Sequence, residues 1–235
     1  MIIRAYTGIV LSSLVLLGCI ALGVTTYNDP INFERASFMF LLFTAYLCRH
    51  DKDLISVIGI LAISYLIDHI ILLAAEHLTW WNIIMYQCAA AIIYTLWRDT
   101  LSKISAVFLT AVIIAEIYWS LTNYPAPNLS LAVGKLAFAL IIRHVFIYRP
   151  DIIERFFNYD GDYIAVDKKF RDLYAVYILI EMANIAEYLI RHLTDYSPLV
   201  IYQAYPYTIQ IISTLSLWFV LHYSQKSWLK KTLKA

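Results

Sequence analysis

Residues 54–75, LISVIGILAISYLIDHIILLAA, are apolar apart from two serines, one tyrosine and the pair Asp68 and His69. About 20 consecutive apolar residues are enough for a helix to cross the hydrocarbon core of a bilayer. Similar stretches recur along the chain, in which 61% of the residues are hydrophobic and 15% are charged. Soluble domains have about 25% charged residues, so the composition indicates an integral membrane protein.

Stretches of this kind predict an all-α integral membrane protein, a bundle of about eight transmembrane helices. Short loops join them, and little of the 235 residues remains outside the membrane. The predicted spans are residues 5–26, 31–48, 54–75, 80–97, 104–123, 130–148, 173–190 and 199–223. Such a chain has no room for a separate soluble domain, so we expect its function within the bilayer or in contacts with other subunits.

The cations predict the orientation of these spans. If the amino terminus is cytoplasmic, most of the 18 Lys and Arg residues fall on the inner side of the membrane. Short loops rich in Lys and Arg stay in the cytoplasm, so both termini are expected there, as in a bacterial inner (cytoplasmic) membrane protein. The formal net charge is only +1 and the cations mark loops rather than form a patch, so no nucleic-acid partner is expected.

Short similarities within the chain favour an internal duplication. The tripeptide HLT occurs at residues 77–79 and again at residues 192–194, which are equivalent places in the predicted topology. Two tandem four-helix halves, residues 1–103 and 104–235, would share one orientation, because four spans return the chain to its starting side. The alternative is a single bundle whose apolar helices resemble each other by chance.

Polar side chains inside the predicted spans are the candidates for function. A charge within the membrane costs a few kcal/mol or more unless it is paired or neutralised, so each one requires an explanation. On the seventh span, Glu181, Asn184 and Glu187 fall on one side of the helix. The candidates for a proton or cation path are Asp68, His69, Glu116, Lys135, Glu181, Asn184 and Glu187, with Gln87, Gln203 and Gln210 as supporting polar groups.

Three interpretations of these polar groups compete. In the first, the carboxylates handle protons or cations near His69 and Lys135, in a small channel or transporter or in the ion-handling subunit of an assembly. In the second, Lys135 pairs with a carboxylate and the network only fixes helix packing in a structural or sensory subunit. A membrane-embedded enzyme is third, because no HExxH or GxSxG motif is present and no metal or cofactor is expected.

The inner segment 149–172, between the sixth and seventh predicted spans, is long enough to have structure of its own. Its apolar residues recur at helical spacing, which predicts an amphipathic helix on the inner membrane surface. Acidic residues at 160–167 lack the spacing of a calcium loop and predict a polar turn. Together with a basic cytoplasmic tail at 224–235, this segment is where the second interpretation expects protein subunits or a second copy to dock. The docking candidates are Ile152, Phe156, Phe157, Lys168 and Lys169.

Overall fold

The computed structural model describes residues 2–27, 30–77, 80–125 and 129–232, so residues 233–235 of the predicted tail lie outside the described part. The described residues contain nine α-helices and no strand. The helices are α1 (Ile2–Thr25), α2 (Pro30–Leu47), α3 (Lys52–His77), α4 (Trp81–Thr95), α5 (Thr100–Thr122), α6 (Ser130–Ile147), α7 (Arg149–Phe157), α8 (Ala165–Leu193) and α9 (Val200–Thr232). The all-α prediction is therefore confirmed.

Five of these helices contain segments long and apolar enough to cross a membrane. The segments are Lys52–Ile71, Thr100–Thr122, Ser130–Ile147, Ala165–Leu193 and Val200–Ser227. Large apolar side chains also cover the outer surface of α5, where Leu121 is 79% exposed and Val107 is 68% exposed. Soluble proteins rarely expose apolar surface of this extent. These features indicate an α-helical integral membrane protein.

Each predicted span coincides with a helix, and the ends differ most at the start of α8 and the end of α9. α8 begins at Ala165, eight residues before the predicted span at 173–190. Asp167 in its first turn accepts the backbone N–H of Ile164 at 2.9 Å, and an acidic group is favourable at the positive end of a helix. Phe170 is fully buried, so inward packing begins before the predicted span does.

α5 shows how the sequence produces one packed face. The side chain of Asp99 caps its amino terminus by accepting the N–H of Leu101 at 3.2 Å. The buried residues then recur three or four positions apart, as expected for one side of a helix. They are Ser102, Ser105, Leu109, Val112, Ala115 and Trp119. The apolar members of this face join one hydrophobic cluster with residues of α4, α6 and α8.

The chain divides into two compact units. The first unit comprises Met1–Tyr65, Phe146–Arg171 and Tyr207–Ala235, and the second unit comprises Leu66–Val145 and Asp172–Pro206. These boundaries differ from the predicted halves at 1–103 and 104–235, whose duplication stays a prediction. The predicted inner segment at 149–172 consists of α7, an irregular connection at 158–164 and the start of α8, nearly all in the first unit.

Candidate functional site

Glu181 lies on α8 inside the second unit and is 0% exposed. Its Oε1 accepts a hydrogen bond from the hydroxyl of Tyr205 on α9. Tyr177, one turn earlier on α8, is also a hydrogen-bond partner of Glu181 and of Tyr205. Oε2 is also buried and accepts no hydrogen bond from the residues that the structure describes. Buried polar atoms are normally paired, so the free oxygen requires an explanation.

A cavity of about 410 Å³ lies beside Glu181, and its walls include Lys135, Asn184 and Gln203. Asn184 follows Glu181 by three residues and therefore shares its side of α8. The positive charge of Lys135 on α6 acts on Glu181, but within the described part of the chain the two side chains form no direct ion pair. Lys135 Nζ instead lies 5.7 Å from the ring centroid of Tyr205. The structure thus brings four of the sequence candidates to one cavity.

Glu187 holds the amino terminus of α9. Its two carboxylate oxygens accept the backbone N–H groups of Ile201 at 2.6 Å and Tyr202 at 2.8 Å. These donors belong to the first turn of α9, which begins at Val200, and have no partner within the helix. Glu187 therefore has a structural explanation, and its contacts fix the first turn of α9 to α8.

Two other predicted carboxylates lie in the second unit. Glu116 on α5 is half-buried, and its Oε1 accepts a hydrogen bond from the hydroxyl of Tyr86 on α4. Asp68 on α3 is also half-buried, and its charge acts on Tyr177 and Tyr205. Asp68 is thus electrostatically coupled to the Glu181 cluster, whereas Glu116 has a tyrosine partner of its own.

The remaining polar candidates lie elsewhere. His69 and Gln87 are exposed on the surfaces of α3 and α4. Gln210 belongs to the first unit, where its Nε2 donates to the carbonyl of Gly23 at 3.3 Å. None of these three lines the cavity beside Glu181.

Sequence reasoning did not identify Tyr205 as a partner of Glu181. The hydrogen bond joins residues on different helices, which local sequence patterns do not relate. The signal that was available is the position of Pro206 inside an apolar span, because a proline there interrupts the helix hydrogen bonds.

A second buried charge lies in the first unit, where Arg149 is 1% exposed. Its Nε and Nη2 donate to the two carboxylate oxygens of Asp167 at 2.7 and 2.8 Å. Its Nη1 donates to Asp53 Oδ1 at 3.0 Å and to Ser56 Oγ at 2.9 Å. Nη2 also donates to the backbone carbonyl of Asp162. Every nitrogen of the guanidinium therefore has an acceptor, and the cluster joins α3, α7 and α8.

This cluster changes the ionisation of its members. Burial alone would lower the pKa of Arg149, but the hydrogen bonds and charges of Asp167 and Asp53 outweigh burial and raise it. The negative charge of Asp53 raises the pKa of Tyr159, whose hydroxyl donates to Asp53 at 3.3 Å. Sequence reasoning missed the cluster because Asp53 and Arg149 are 96 residues apart.

The docking candidates lie on and after α7. Phe156 and Phe157 are 74% and 75% exposed. Lys168 and Lys169 are also exposed, whereas Ile152 is half-buried. The part of this segment open to contact is therefore the end of α7 and the start of α8.

Comparisons of the chain with protein-family models, with curated proteins and with solved structures found no match. Its function is therefore inferred from its own residues and their geometry.

Proposed function

We propose that the protein handles protons or cations at Glu181, as a small channel or transporter or as the ion-handling subunit of a membrane assembly. The observation that supports this most is the buried Glu181 carboxylate beside a cavity, with Oε2 unpaired among the described residues. Burying an ionised carboxylate within a membrane is costly unless its charge is compensated. A carboxylate with this cost and one available oxygen is suited to take up and release a positive charge.

The surroundings of Glu181 support the same function. The Tyr205 hydroxyl donates to Oε1 and so leaves Oε2 as the oxygen that can exchange a proton or cation. Asn184 and Gln203 are the amide residues of the cavity wall, and Lys135 adds a positive charge that forms no direct ion pair with Glu181 among the described residues. A mobile positive charge can therefore compete with Lys135 for the carboxylate.

In this proposal all the helices except α7 cross the membrane, which gives eight spans with both termini in the cytoplasm. The inner loops then carry most of the Lys and Arg residues, as the positive-inside rule requires. This pattern fits a bacterial inner membrane, which we take as the location. The lipid bilayer surrounds the bundle, and a second copy or other protein subunits are the proposed partners.

A structural or sensory subunit is the second candidate function. Glu187 and Glu116 are both engaged by other groups of the chain, which is what a purely structural network requires. Phe156 and Phe157 are exposed and offer an apolar surface to a partner. In this alternative the 149–172 segment and the basic tail dock other proteins, and Glu181 only fixes helix packing.

Flux through proteoliposomes separates these two functions. The purified full-length chain would be reconstituted and assayed for proton and cation flux beside Glu181→Gln and, as a matched control, Glu154→Gln, which changes an exposed glutamate of α7. We expect flux in the native chain and in the control and a loss of about 100-fold or more in Glu181→Gln, the scale of removing one general acid–base group. Equal flux in all three folded proteins, or none in any, would overturn the proposal.

A further inference from the structure

A second cavity of the second unit lies where two apolar helices end. Its volume is about 420 Å³, and it is lined by the end of α5, the end of α8 and residues that follow each helix. The segments Thr100–Thr122 and Ala165–Leu193, both long enough to cross a membrane, end at this cavity. A helix that crosses a bilayer ends in the headgroup layer, so the cavity lies at the depth of the lipid headgroups.

Aromatic side chains fix the walls of this cavity. Trp119 is buried, and its ring centroid lies 6.0 Å from that of His192 and 6.2 Å from that of Tyr124. The rings of Tyr124 and His192 also pack edge to face, with centroids 5.9 Å apart. The Tyr124 hydroxyl lies within hydrogen-bond distance of His192 Nδ1, at 3.1 Å. The three rings therefore brace one another and give the cavity a defined shape.

Two opposite charges line the cavity. Arg191 and Asp195 are the formal charges of its wall, and neither belongs to an ion pair among the described residues. Arg191 Cζ lies 5.3 Å from the ring centroids of both Tyr188 and Tyr202. Cation–π contacts of this kind hold the guanidinium in place, while its N–H groups still match the oxygens of a phosphate. A ligand that complements both charges carries one negative group and one positive group.

The surface beside the cavity favours a lipid over a soluble molecule. Ile117 and Leu121 are exposed on α5 and are neighbours in the sequence of the lining residues Tyr118 and Thr122. Exposed apolar surface of this kind marks contact with a membrane. A lipid whose headgroup fills the cavity therefore has an apolar surface for its acyl chains directly beside it.

We infer that this cavity binds the headgroup of one zwitterionic phospholipid, in which a phosphodiester is negative and an ammonium group is positive. Arg191 donates to the phosphodiester oxygens, because a guanidinium forms charge-assisted hydrogen bonds with phosphate. Asp195 pairs with the ammonium group, and the rings of Trp119 and Tyr124 form the wall beside it. The site shares no lining residue with the cavity beside Glu181, so it goes beyond the proposed function and does not depend on it.

Lipid binding to the purified full-length chain tests this site. The native chain in detergent is titrated with phosphatidylethanolamine and with phosphatidylglycerol, whose headgroup has the phosphodiester but no ammonium group. Native mass spectrometry counts the bound lipids. We expect phosphatidylethanolamine to bind about tenfold more tightly, the scale of one hydrogen bond to a charged group. Equal affinity for the two lipids would overturn the inference.

Three variants, each checked for folding by circular dichroism, separate the roles of the two charges. Asp195→Asn should weaken phosphatidylethanolamine about tenfold and leave phosphatidylglycerol unchanged, whereas Arg191→Gln should weaken both lipids to that extent. Arg35→Gln is the matched control, because Arg35 is an exposed arginine outside the cavity, and it should change neither affinity. The site is wrong if Arg191→Gln binds like this control or if Asp195→Asn keeps the native preference.

Glycerophosphoethanolamine, which is the same headgroup without acyl chains, distinguishes a lipid from a soluble ligand. We expect it to displace bound phosphatidylethanolamine only at concentrations at least about tenfold above those of the lipid, because it buries no acyl chain against α5. Displacement at equal concentrations would show that the cavity binds a soluble zwitterion, and the assignment to a phospholipid would then be wrong.

Discussion

Arg149 in the first unit and Glu181 in the second unit are both buried almost completely, yet their surroundings differ. Every nitrogen of Arg149 has an acceptor, and Asp167 binds it through both carboxylate oxygens. Glu181 has the tyrosines Tyr205 and Tyr177 as hydrogen-bond partners, but its Oε2 accepts no hydrogen bond among the described residues, and a cavity lies beside it. A buried charge whose hydrogen bonds are complete is costly to disrupt, because removing one partner leaves the other uncompensated. One whose partners are incomplete is free to change its partner.

The largest expected effect is loss of the Arg149 cluster. Arg149→Met removes the cation and leaves Asp167, which is 0% exposed, and Asp53 without their partner. Breaking a buried ion pair in this way costs about 3–5 kcal/mol. We expect a fall of that size in the free energy of unfolding, measured by denaturant titration in detergent micelles.

Arg155→Met is the matched control for Arg149→Met, because Arg155 is an exposed arginine of the same helix. It should change the free energy of unfolding by less than about 0.5 kcal/mol. If Arg149→Met unfolds at the same denaturant concentration as this control, the Arg149 cluster does not hold α3, α7 and α8 together.

The sequence predicted the helices better than the contacts between them. Long apolar stretches predict helices by length alone, so even the least accurate end, at Thr232, lies within about three helical turns of its predicted position. The contacts of the inner segment 149–172 were harder to predict, because the pairing of Arg149 with Asp53 and Asp167 depends on how distant parts of the chain pack. Local periodicity carries no information on such pairs.

The candidate site shows the same limit. Asn184 and Glu181 were predicted to share one side of a helix, and spacing alone was enough for that. Spacing alone did not distinguish the roles of the two glutamates: Glu187 caps α9, whereas Glu181 lines a cavity. The difference arises from the turn between α8 and α9, which places backbone donors beside one carboxylate and not the other.

Glu187→Ala is expected to have the next largest effect on stability. It removes the acceptor of two N–H groups in the first turn of α9, and loss of a helix cap costs about 0.5–2 kcal/mol. Ion flux per folded molecule should stay unchanged, because Glu187 does not line the cavity. A variant that folds normally but loses flux would move Glu187 from the structural group to the ion path.

Tyr159 provides a smaller test at high pH. Asp53 raises the pKa of Tyr159 in the folded protein above the ordinary value of 10.0. Between the ordinary pKa and the raised folded-state pKa, the folded protein holds more protons at Tyr159 than the unfolded chain does. The stability that Tyr159 contributes is therefore complete below pH 10 and is lost as pH rises through the folded-state pKa. Tyr159→Phe should lose less stability over that range, as measured by thermal unfolding at increasing pH. An identical pH dependence in both proteins would show that Asp53 does not influence Tyr159.

The smallest expected effect on stability is that of Glu181→Gln. Glutamine keeps an oxygen that can accept from Tyr205 and removes the buried charge, so the thermal midpoint should stay equal to that of the native chain or rise. A loss as large as that of Arg149→Met would show that Glu181, like Arg149, is a structural charge.

The most direct measurement is infrared difference spectroscopy of the reconstituted protein on changing pH or Na⁺ concentration, with Glu181→Gln as reference. The carboxyl stretching bands report whether a buried glutamate gains or loses a proton or cation. We predict a band that changes in the native chain and is absent from Glu181→Gln but retained in Glu187→Gln. A spectrum in which no band of Glu181 responds to either change would contradict the assignment of Glu181 as the exchangeable charge.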